Sequence, residues 1–275
     1  MPAGTKTAII TGAGGGVGGA FARQLDERGY QLTLLTRDAT NVAALAGQLA
    51  HKPDIIACDF NDEKAFRAAR AAISAHDAFD LVVTNAGYVM PSPVAVIDPE
   101  EFEKHINVNL RGGMYVIQAA LPKMVARGHG MILANVSMGA IIALQNYAAY
   151  SAGKFGMRGF LWALSNELKG TGVQLCGMYS SAVDTPMLRY EAQHEYGTPL
   201  NFMGRISTAD EVAAHALRNL ENPKLESYLP YGDSWTSRLL LFFPRYLEKV
   251  TPMFVKSGIK GRVKYLEKLG LERSK

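Results

Sequence analysis

The sequence predicts an α/β fold built on a doubly wound parallel sheet, and two observations support this prediction. Apolar segments of strand length alternate with segments of helical periodicity along the 275 residues. No internal repeat interrupts them, and 48% of the residues are hydrophobic, which is enough for a sizeable core. We therefore expect one domain over residues 1–233, with helices on both faces of the sheet, and a C-terminal tail over residues 234–275.

The first strand and the first helix enclose a glycine-rich turn. Residues 7–11 are typical of a short buried strand, and Val17, Phe21 and Leu25 recur every four residues as in a helix. Glycines in the intervening residues 12–19 let the backbone approach a pyrophosphate, which the N–H groups and dipole of the helix N-terminus attract. The turn therefore predicts a Rossmann-type dinucleotide site. Two registers fit the glycine pattern: Gly14, Gly16 and Gly19, or Gly12, Gly16 and Gly18.

The second strand, residues 31–36, indicates which dinucleotide is preferred. It ends at the neutral Thr36, and Arg37 follows. An acid at this point would bind a ribose 2′-hydroxyl, whereas a guanidinium suits a 2′-phosphate. NADP is therefore favoured. NAD stays open as the alternative, because Arg37 could be a solvated loop residue and Asp38 could take the ribose role.

The helix expected over residues 149–170 has the pattern most indicative of chemistry. Tyr150 and Lys154 lie one turn apart on the same face. An ammonium beside a phenol lowers the pKa of the tyrosine, which can then exchange a proton with a carbonyl or alcohol oxygen. Ser137, thirteen residues upstream, could hydrogen-bond the same oxygen. A tyrosine–lysine pair by itself is more often a solvated helix edge, so the interpretation depends on the dinucleotide site.

Together these motifs resemble the short-chain dehydrogenase/reductase family over about residues 5–230. The resemblance rests on the second glycine register, the tyrosine–lysine pair, and two further motifs: Asn85-Ala86-Gly87 after a strand at 81–84, and Asn109 within a helix expected over 99–127. It implies an oxidoreductase that transfers hydride, with Asn109, Ser137, Tyr150 and Lys154 as catalytic residues. Tyr150 would be general acid in reduction and general base in oxidation, and Lys154 would tune it and bind the nicotinamide ribose. Ser137 would hold the substrate oxygen, and Asn109 would support a water chain that resupplies protons.

The resemblance also implies the contacts with the cofactor. They are Gly12, Gly16, Val17, Gly18, Arg37, Asp59, Asn85, Ala86, Gly87, Tyr150, Lys154, Val183 and Thr185. Asp59 would contact the adenine, unless it is the N-cap of a helix expected over residues 61–75. Val183 and Thr185 would flank the nicotinamide carboxamide. The chain departs from the family pattern at Ser180-Ser181, which replace Pro-Gly and change the stiffness of this loop.

The segments expected to face the substrate are mostly apolar. They are residues 138–144, residues 88–91, and Met187-Leu188 with Tyr190. Arg189 is the nearest basic candidate for a phosphate or carboxylate. We therefore expect a lipophilic ketone or aldehyde, or the corresponding alcohol, held by Met138, Tyr150 and Met187.

The C-terminal tail concentrates positive charge. Residues 234–275 hold ten Lys/Arg and three acids, a balance of +7 within the overall +4, which leaves −3 for residues 1–233. Apolar residues accompany these charges, including those at 239–243, and the pattern is typical of a helix that binds a membrane surface. The alternative is a tail that packs on its own or a neighbouring subunit. Pro244 and Pro252 are expected to divide it into short helical pieces.

The remaining features set expectations about partners and location. By family resemblance, the helices over residues 99–127 and 149–170 would form the interface of a homodimer or homotetramer. Cys58 and Cys176 fall on expected interior strands as buried thiols, and the six histidines show no ligand spacing, so we expect no metal. We expect no nucleic acid partner, and cytoplasmic residence because neither a signal peptide nor a transmembrane run is evident. The competing function is a nucleotide-binding sensor or scaffold of the same fold with little turnover.

Overall fold

A computed structural model describes residues 4–230 and 244–272, with the backbone alone for residues 244–250. Its strands are β1 (Thr7–Thr11), β2 (Gln31–Thr36), β3 (Asp54–Ala57), β4 (Leu81–Thr84), β5 (Gly130–Asn135), β6 (Val173–Ser180), β7 (Val183–Asp184), β8 (Ser207–Thr208) and β9 (Glu226–Leu229). Within the described residues, seven of them form one sheet in the order β3-β2-β1-β4-β5-β6-β9. All neighbouring strands in it are parallel, as expected. β7 and β8 pair separately.

Helices connect the strands and continue beyond them. They are α1 (Gly16–Asp26), α2 (Thr40–Ala46), α3 (Glu63–Ala75), α4 (Pro99–Ile106), α5 (Gly112–Arg127), α6 (Ala148–Glu167), α7 (Pro186–Gln193), α8 (Ala209–Arg218) and the C-terminal helix (Pro244–Leu269). Two short 3₁₀ turns, Met138–Ala140 and Pro199–Phe202, lie beside the carboxyl ends of the strands.

Both faces of the sheet are covered, which confirms the doubly wound prediction. Phe66 of α3 packs with α5 and α6 on one face, and Phe21 of α1 packs with Leu217 of α8 on the other. Burial on both sides explains why the strands are nearly continuous apolar runs. Cys58 and Cys176 are both buried, as expected, and Cys176 lies on β6, but the prediction that Cys58 lies on an interior strand is wrong, because β3 is an edge strand that ends at Ala57. The strand order reverses between β1 and β4, where proteins of this architecture open a crevice for ligands.

The helix expected over residues 99–127 is interrupted. α4 and α5 flank a π-helical turn at Asn107–Arg111, and α5 ends at Gly128, whose φ of +75° closes the helix in a left-handed conformation. The wider turn contains Asn109, only 2% exposed. Its place in the turn follows from contacts with a distant loop, described below, and could not be seen in local periodicity.

The expected break of the tail at Pro252 is wrong. A single helix runs from Pro244 to Leu269 with Pro252 inside it. Pro244 stands at the first helical position, where the missing N–H costs little. Beyond Pro252, Gly258 and Gly261 lie so close to the carbonyl oxygens of Pro199 and Phe202 that any Cβ would overlap them. This packing supports the helix past its proline. The predicted boundary at residue 233 and the apolar run at 239–243 lie outside the described residues.

Candidate active site

A cavity of about 1500 Å³ opens at the carboxyl ends of the parallel strands. Most of the residues proposed from the sequence line it: Gly12, Gly16, Val17, Arg37, Asp59, Asn85, Ala86, Gly87, Ser137, Met138, Tyr150, Lys154, Val183, Thr185 and Met187. Gly18 and Asn109 lie behind this wall. The fold thus brings together side chains that are separated by as many as 175 residues in the sequence.

The packing around the glycine turn shows which of the two glycine registers fits this structure. Gly12 has φ +66°, and a Cβ there would lie 2.7 Å from Ala86 Cα, while a Cβ on Gly18 would overlap the Gly12 carbonyl oxygen. At Gly14 and Gly19 the nearest atoms would lie 3.1 and 3.5 Å away. The register that begins at Gly12 is therefore the one whose glycines are sterically required. Ahead of α1 no side chain caps the helix and its first turn holds no acid, so its N–H groups are available to an anion.

In the loop after β2, the side chains of Arg37 and Asp38 have different surroundings. Asp38 Oδ1 accepts the Thr40 backbone N–H at 2.9 Å, and this bond holds the pKa of the carboxyl below its usual value. Arg37 lines the cavity, and no carboxylate of the described residues forms an ion pair with it. The side chain of Asp38 is thus engaged locally, whereas the guanidinium of Arg37 stays available at the cavity.

The alternative role for Asp59, a helix N-cap, belongs instead to Asp62. α3 begins at Glu63, and Asp62 accepts the backbone N–H groups of Lys64 and Ala65. Asp59 accepts from the backbone and side-chain nitrogens of Asn61 at 2.9 and 2.8 Å and lines the cavity. The helix expected over residues 61–75 therefore starts two residues later, and Asp59 stands free of capping.

A polar network fixes the Asn-Ala-Gly segment against the glycine turn. The Thr11 hydroxyl accepts both backbone N–H groups of Asn85 and Ala86, at 2.9 and 3.0 Å. Asn85 Nδ2 donates to the carbonyls of Thr11 and Gly12, and Asn135 Nδ2 donates to Asn85 Oδ1 at 2.9 Å. β1, β4 and β5 are thus locked together where they meet the cavity.

Ser137, Tyr150 and Lys154 converge on the wall between β5 and α6. Ser137 and Tyr150 hydrogen-bond through their side chains, and Ser137 Oγ also accepts the Gly139 N–H at 3.0 Å. A Cβ on Gly139 would lie 2.8 Å from Tyr150 Cε1, so this glycine allows the phenol ring to lie close to the backbone. Lys154, 5% exposed, places Nζ 5.6 Å from the centre of the Tyr150 ring.

The pKa values differ from the sequence-based expectation. Burial raises the pKa of Tyr150 above its ordinary value, opposed by the hydrogen bond with Ser137, and the nearby Glu191 charge raises it further. Burial also lowers the pKa of Lys154 to about 8. The expected lowering of the Tyr150 pKa by Lys154 is wrong for this structure, because burial of the phenol has the largest influence on its pKa.

Asn109 lies behind the wall between β5 and α6 and fixes the loop after β4. Its Nδ2 donates to the Tyr88 carbonyl at 2.7 Å, and its Oδ1 accepts the Tyr88 N–H at 3.0 Å. A second cavity of about 10 Å³ adjoins it, with Thr84, Asn135 and Lys154 in its lining. Thr84 Oγ1 and Asn135 Oδ1 have no hydrogen-bond partner among the described residues. The space is close to the smallest that holds one water molecule, and its lining is polar.

Two groups at the cavity were not foreseen. Glu191 of α7, 7% exposed, accepts from the Tyr147 hydroxyl at 2.6 Å. Arg262 of the C-terminal helix is 6% exposed and donates to four backbone carbonyls: those of Glu191, Ala192, His194 and Gly197. These partners are 44 to 71 residues distant in sequence, so no local pattern marks either side chain.

The C-terminal helix forms part of the cavity wall. Phe254, Val255, Ile259, Val263 and Leu266 line it together with α7. The Tyr265 hydroxyl donates to Asp184 Oδ1 at 2.7 Å, and the Tyr265 ring packs on Phe202 with the ring centres 5.3 Å apart. The packing alternative for the tail is therefore realised over the described part of this helix.

The departure from Pro-Gly lies where β6 ends at the cavity. Ser180 is the last residue of β6 and pairs with Leu229 of β9, and Ser181 donates its backbone N–H to the Leu229 carbonyl at 2.9 Å. The family pattern has proline at position 180 and glycine at position 181, so the bond of residue 181 is open to both patterns, whereas serine at position 180 supplies a backbone N–H that proline lacks. The two serines therefore fix the start of the loop that leads to Val183.

Comparison with known proteins agrees with this architecture. A family described as short chain dehydrogenase matches residues 6–196. D-threitol dehydrogenase of Mycolicibacterium smegmatis is 30% identical over 221 residues, 77% of this chain and 84% of its own. A short-chain dehydrogenase from Sphingobium yanoikuyae, solved with NADPH, superposes with a TM-score of 0.77 at 20% identity, over 89% of this chain and 95% of its own. A bulky-bulky ketone specific alcohol dehydrogenase from Comamonas testosteroni superposes with a TM-score of 0.72 at 19% identity, over 86% of this chain and 93% of its own. At these identities the two solved structures indicate the fold.

Proposed function

The chain belongs to the short-chain dehydrogenase family, and we propose that it interconverts a lipophilic ketone or aldehyde and the corresponding alcohol, with a preference for NADP(H). It is an oxidoreductase of a family that uses NAD(P). The observation that supports the proposal best is the convergence of Ser137, Tyr150 and Lys154 on the cavity that the glycine turn also enters.

The proposed proton transfer follows from the state of these groups. A nicotinamide supplies or accepts the hydride when bound. Because its pKa is raised, the Tyr150 phenol is protonated at neutral pH and acts as general acid toward a carbonyl oxygen. Ser137 holds the same oxygen through its hydroxyl. Lys154 stabilises the tyrosinate that is left, because it is buried beside the ring.

We assign proton resupply to Asn109 and the small polar cavity beside it. Lys154 borders both cavities, so a water in the smaller one would connect the lysine with Asn109. The exchange of a proton through water and Lys154 would return Tyr150 to its neutral form after each reduction. In this scheme Asn109 acts through its two hydrogen bonds with the backbone of Tyr88.

The NADP preference rests on Arg37. Its guanidinium lines the cavity, while the nearby carboxylate of Asp38 is engaged by Thr40. A 2′-phosphate would therefore meet a cation at the cavity, whereas Asp38 is not among the residues that line it. The related structure that was solved with NADPH agrees with this choice.

The lipophilic substrate class rests on the lining of the cavity. Met138, Ile142, Leu144 and Met187 from the main domain face Phe254 and Val255 of the C-terminal helix. Such a lining favours an apolar body over a phosphorylated or strongly anionic one.

We also propose a homodimer or homotetramer through the helical layer that contains α4, α5 and α6. Large apolar side chains are exposed on it: Phe102, Tyr115, Val125, Phe155 and Trp162. Exposed apolar groups gathered on one layer are typical of a protein interface.

The decisive experiment replaces the proposed acid. In Tyr150→Phe, kcat/KM for NADPH-dependent reduction of apolar ketones should fall by about 10²- to 10⁴-fold, the range for losing a general acid. NADPH affinity, followed by cofactor fluorescence, should change little. Tyr115→Phe, which removes a hydroxyl from an exposed tyrosine, serves as the control.

The sensor or scaffold alternative makes the opposite prediction. The wild-type protein would bind NADPH tightly and turn over no member of a broad panel of ketones, aldehydes and alcohols. Equal turnover by wild type and Tyr150→Phe would instead refute the assigned role of this tyrosine.

A further inference from the structure

One acidic side chain in the cavity wall has no task in the proposed proton transfer. Glu191 lies on the face of α7 that lines the cavity, and only 7% of it is exposed. A carboxylate in such a place is costly unless its oxygens are hydrogen-bonded or paired with a cation. A carboxylate beside an apolar cavity therefore needs a hydrogen-bond donor or a cation for each of its oxygens.

The protein supplies partners for one of the two carboxylate oxygens. Glu191 Oε2 accepts from the Tyr147 hydroxyl at 2.6 Å and from Asn201 Nδ2 at 2.8 Å. The Tyr147 oxygen is itself fixed by the Thr198 N–H at 3.2 Å. These bonds orient the carboxyl group rigidly, and three separate elements contribute to them.

The other oxygen, Oε1, receives no hydrogen bond from the described residues, and no cation among them pairs with the carboxylate. The nearby Arg262 directs its guanidinium at backbone carbonyls, including that of Glu191. Burial accordingly raises the pKa of Glu191 to about 7, opposed by the bonds from Tyr147 and Asn201. One acceptor thus remains for a group that enters the cavity.

The carboxyl group also lies close to the reacting centre. The Tyr147 ring that holds it is 6.2 Å, centre to centre, from the Tyr150 ring, and its charge acts on the Tyr150 phenol. Glu191 therefore lies within reach of a substrate whose carbonyl oxygen contacts Tyr150.

We propose that Glu191 determines substrate specificity, with Oε1 accepting a hydrogen bond from a hydroxyl or ammonium group of the substrate. The substrate class becomes an apolar carbonyl compound that has one such donor near its carbonyl group. This inference rests on the proposed function, and it replaces a uniformly apolar substrate with one that is polar at a defined place.

The test uses Glu191→Gln, which keeps the size of the side chain. The amide oxygen of Gln can still accept from Tyr147 and Asn201, while its NH₂ group now faces the cavity. The acceptor offered to the substrate is thereby exchanged for a donor. Three ketones of matched carbon skeleton are compared: one unsubstituted, one with an added hydroxyl, and one with an added primary amine.

In wild type, kcat/KM should be highest for a ketone that has a donor. In Glu191→Gln it should fall by about 10- to 100-fold for that ketone, as for loss of one hydrogen bond to a charged group. For the unsubstituted ketone the loss should be much smaller, because only the effect of the Glu191 charge on the Tyr150 pKa then changes. A larger loss for the amine than for the hydroxyl would identify ammonium as the natural donor. Equal changes for all three ketones would overturn the proposal.

A binding measurement separates this inference from the proposed function. Calorimetric affinities of the three ketones for the NADPH-loaded protein require no turnover, so they test Glu191 even if reduction fails. Equal wild-type affinities, or binding of none of the ketones, would contradict the role of Glu191. Glu167→Gln, at an exposed carboxylate at the end of α6, controls for the loss of charge. Should Glu191→Gln not fold, Glu191→Asp withdraws the carboxyl by one methylene and must show the same selective loss.

Discussion

Arg37 and Asp38 show how neighbouring residues of opposite charge can serve different purposes. Asp38 closes the turn that begins α2 through Thr40, and Arg37 lies at the cavity. Two adjacent charges at the end of β2 therefore do not cancel, because only one of them is available to a ligand. Under the proposed function, the choice between NADP and NAD would therefore depend mainly on Arg37.

Replacing Arg37 tests this at the residue scale. In Arg37→Glu, the dissociation constant for NADPH should rise by about 10- to 100-fold, because an attraction to the 2′-phosphate becomes a repulsion. NADH should bind as well as before or better, and fluorescence titration measures both. Lys52→Glu makes the same charge change at an exposed site away from the cavity. An equal loss for both cofactors would contradict the assignment.

The positions of single residues were predicted correctly where a short motif determines them. The spacing of Tyr150 and Lys154 placed both side chains at one cavity, because four residues span one helical turn. The pKa direction of Tyr150 was wrong, because burial depends on elements that the motif does not contain. Glu191 and Arg262 were missed for a related reason, since their partners come from distant parts of the chain.

At the scale of elements, the C-terminal helix and the segment 186–202 form one unit. Arg262 holds the end of α7 and the following loop through four carbonyls, and Tyr265 reaches Asp184 just before α7. Leu188, Ala192, Phe202, Tyr265 and Leu266 form a separate apolar cluster beneath these bonds. The helix thereby positions the wall that contains Glu191.

Loss of the Arg262 contacts should loosen this wall without affecting cofactor binding. In Arg262→Ala, amide hydrogen exchange over residues 186–202 should accelerate at least about tenfold, because buried carbonyls lose their donors. KM for ketones should rise more than kcat falls, and NADPH affinity should stay the same. Arg262→Lys should recover only part of the protection, since an ammonium lacks the guanidinium fork.

Lys264→Ala, on the exposed face of the same helix, controls for the Arg262 variants. Exchange that accelerates equally throughout the protein would point to general instability and not to a positioned wall.

Elements with strong periodicity were predicted well, and those shaped by tertiary contacts were not. The apolar runs of β1, β2 and β4 gave correct strand bounds, because a sheet buried on both faces leaves a continuous signal. The π-helical turn around Asn109 and the helix through Pro252 were not foreseen. The first depends on the Tyr88 loop and the second on packing against residues 199–202.

At the scale of the whole molecule, the outer face of the C-terminal helix combines charge with exposed apolar groups. Met253 is 63% exposed, and Lys256, Lys260 and Lys264 are exposed on the same face, while the half-exposed Ile259 and Val263 border the cavity beside it. We keep peripheral contact with an anionic membrane as a proposal for this face. In the described part of the chain, no helix combines the length and hydropathy needed to cross a bilayer.

Charge reversal tests membrane contact without removing the helix, whose loss would also expose Leu188 and Phe202. The wild-type protein should float with vesicles that contain about 30% anionic lipid. The triple variant Lys256→Glu, Lys260→Glu and Lys264→Glu should not float, because each basic residue near the surface contributes about 1 kcal/mol of attraction to anionic lipid. The same reversal at the exposed Lys52, Lys64 and Lys224 is the control. Equal flotation of wild type and both triple variants, or of none of them, would exclude the proposed role of this face.

The contact between the C-terminal helix and the loop after α7 also sets an order of events during synthesis. Every strand of the main sheet is synthesised before residue 262, the arginine that fixes the loop. A nascent chain can therefore complete the nucleotide-binding half of its cavity while the other half still lacks a wall. Under the proposed function, the turns around Arg262 would then complete the wall against which the substrate is selected.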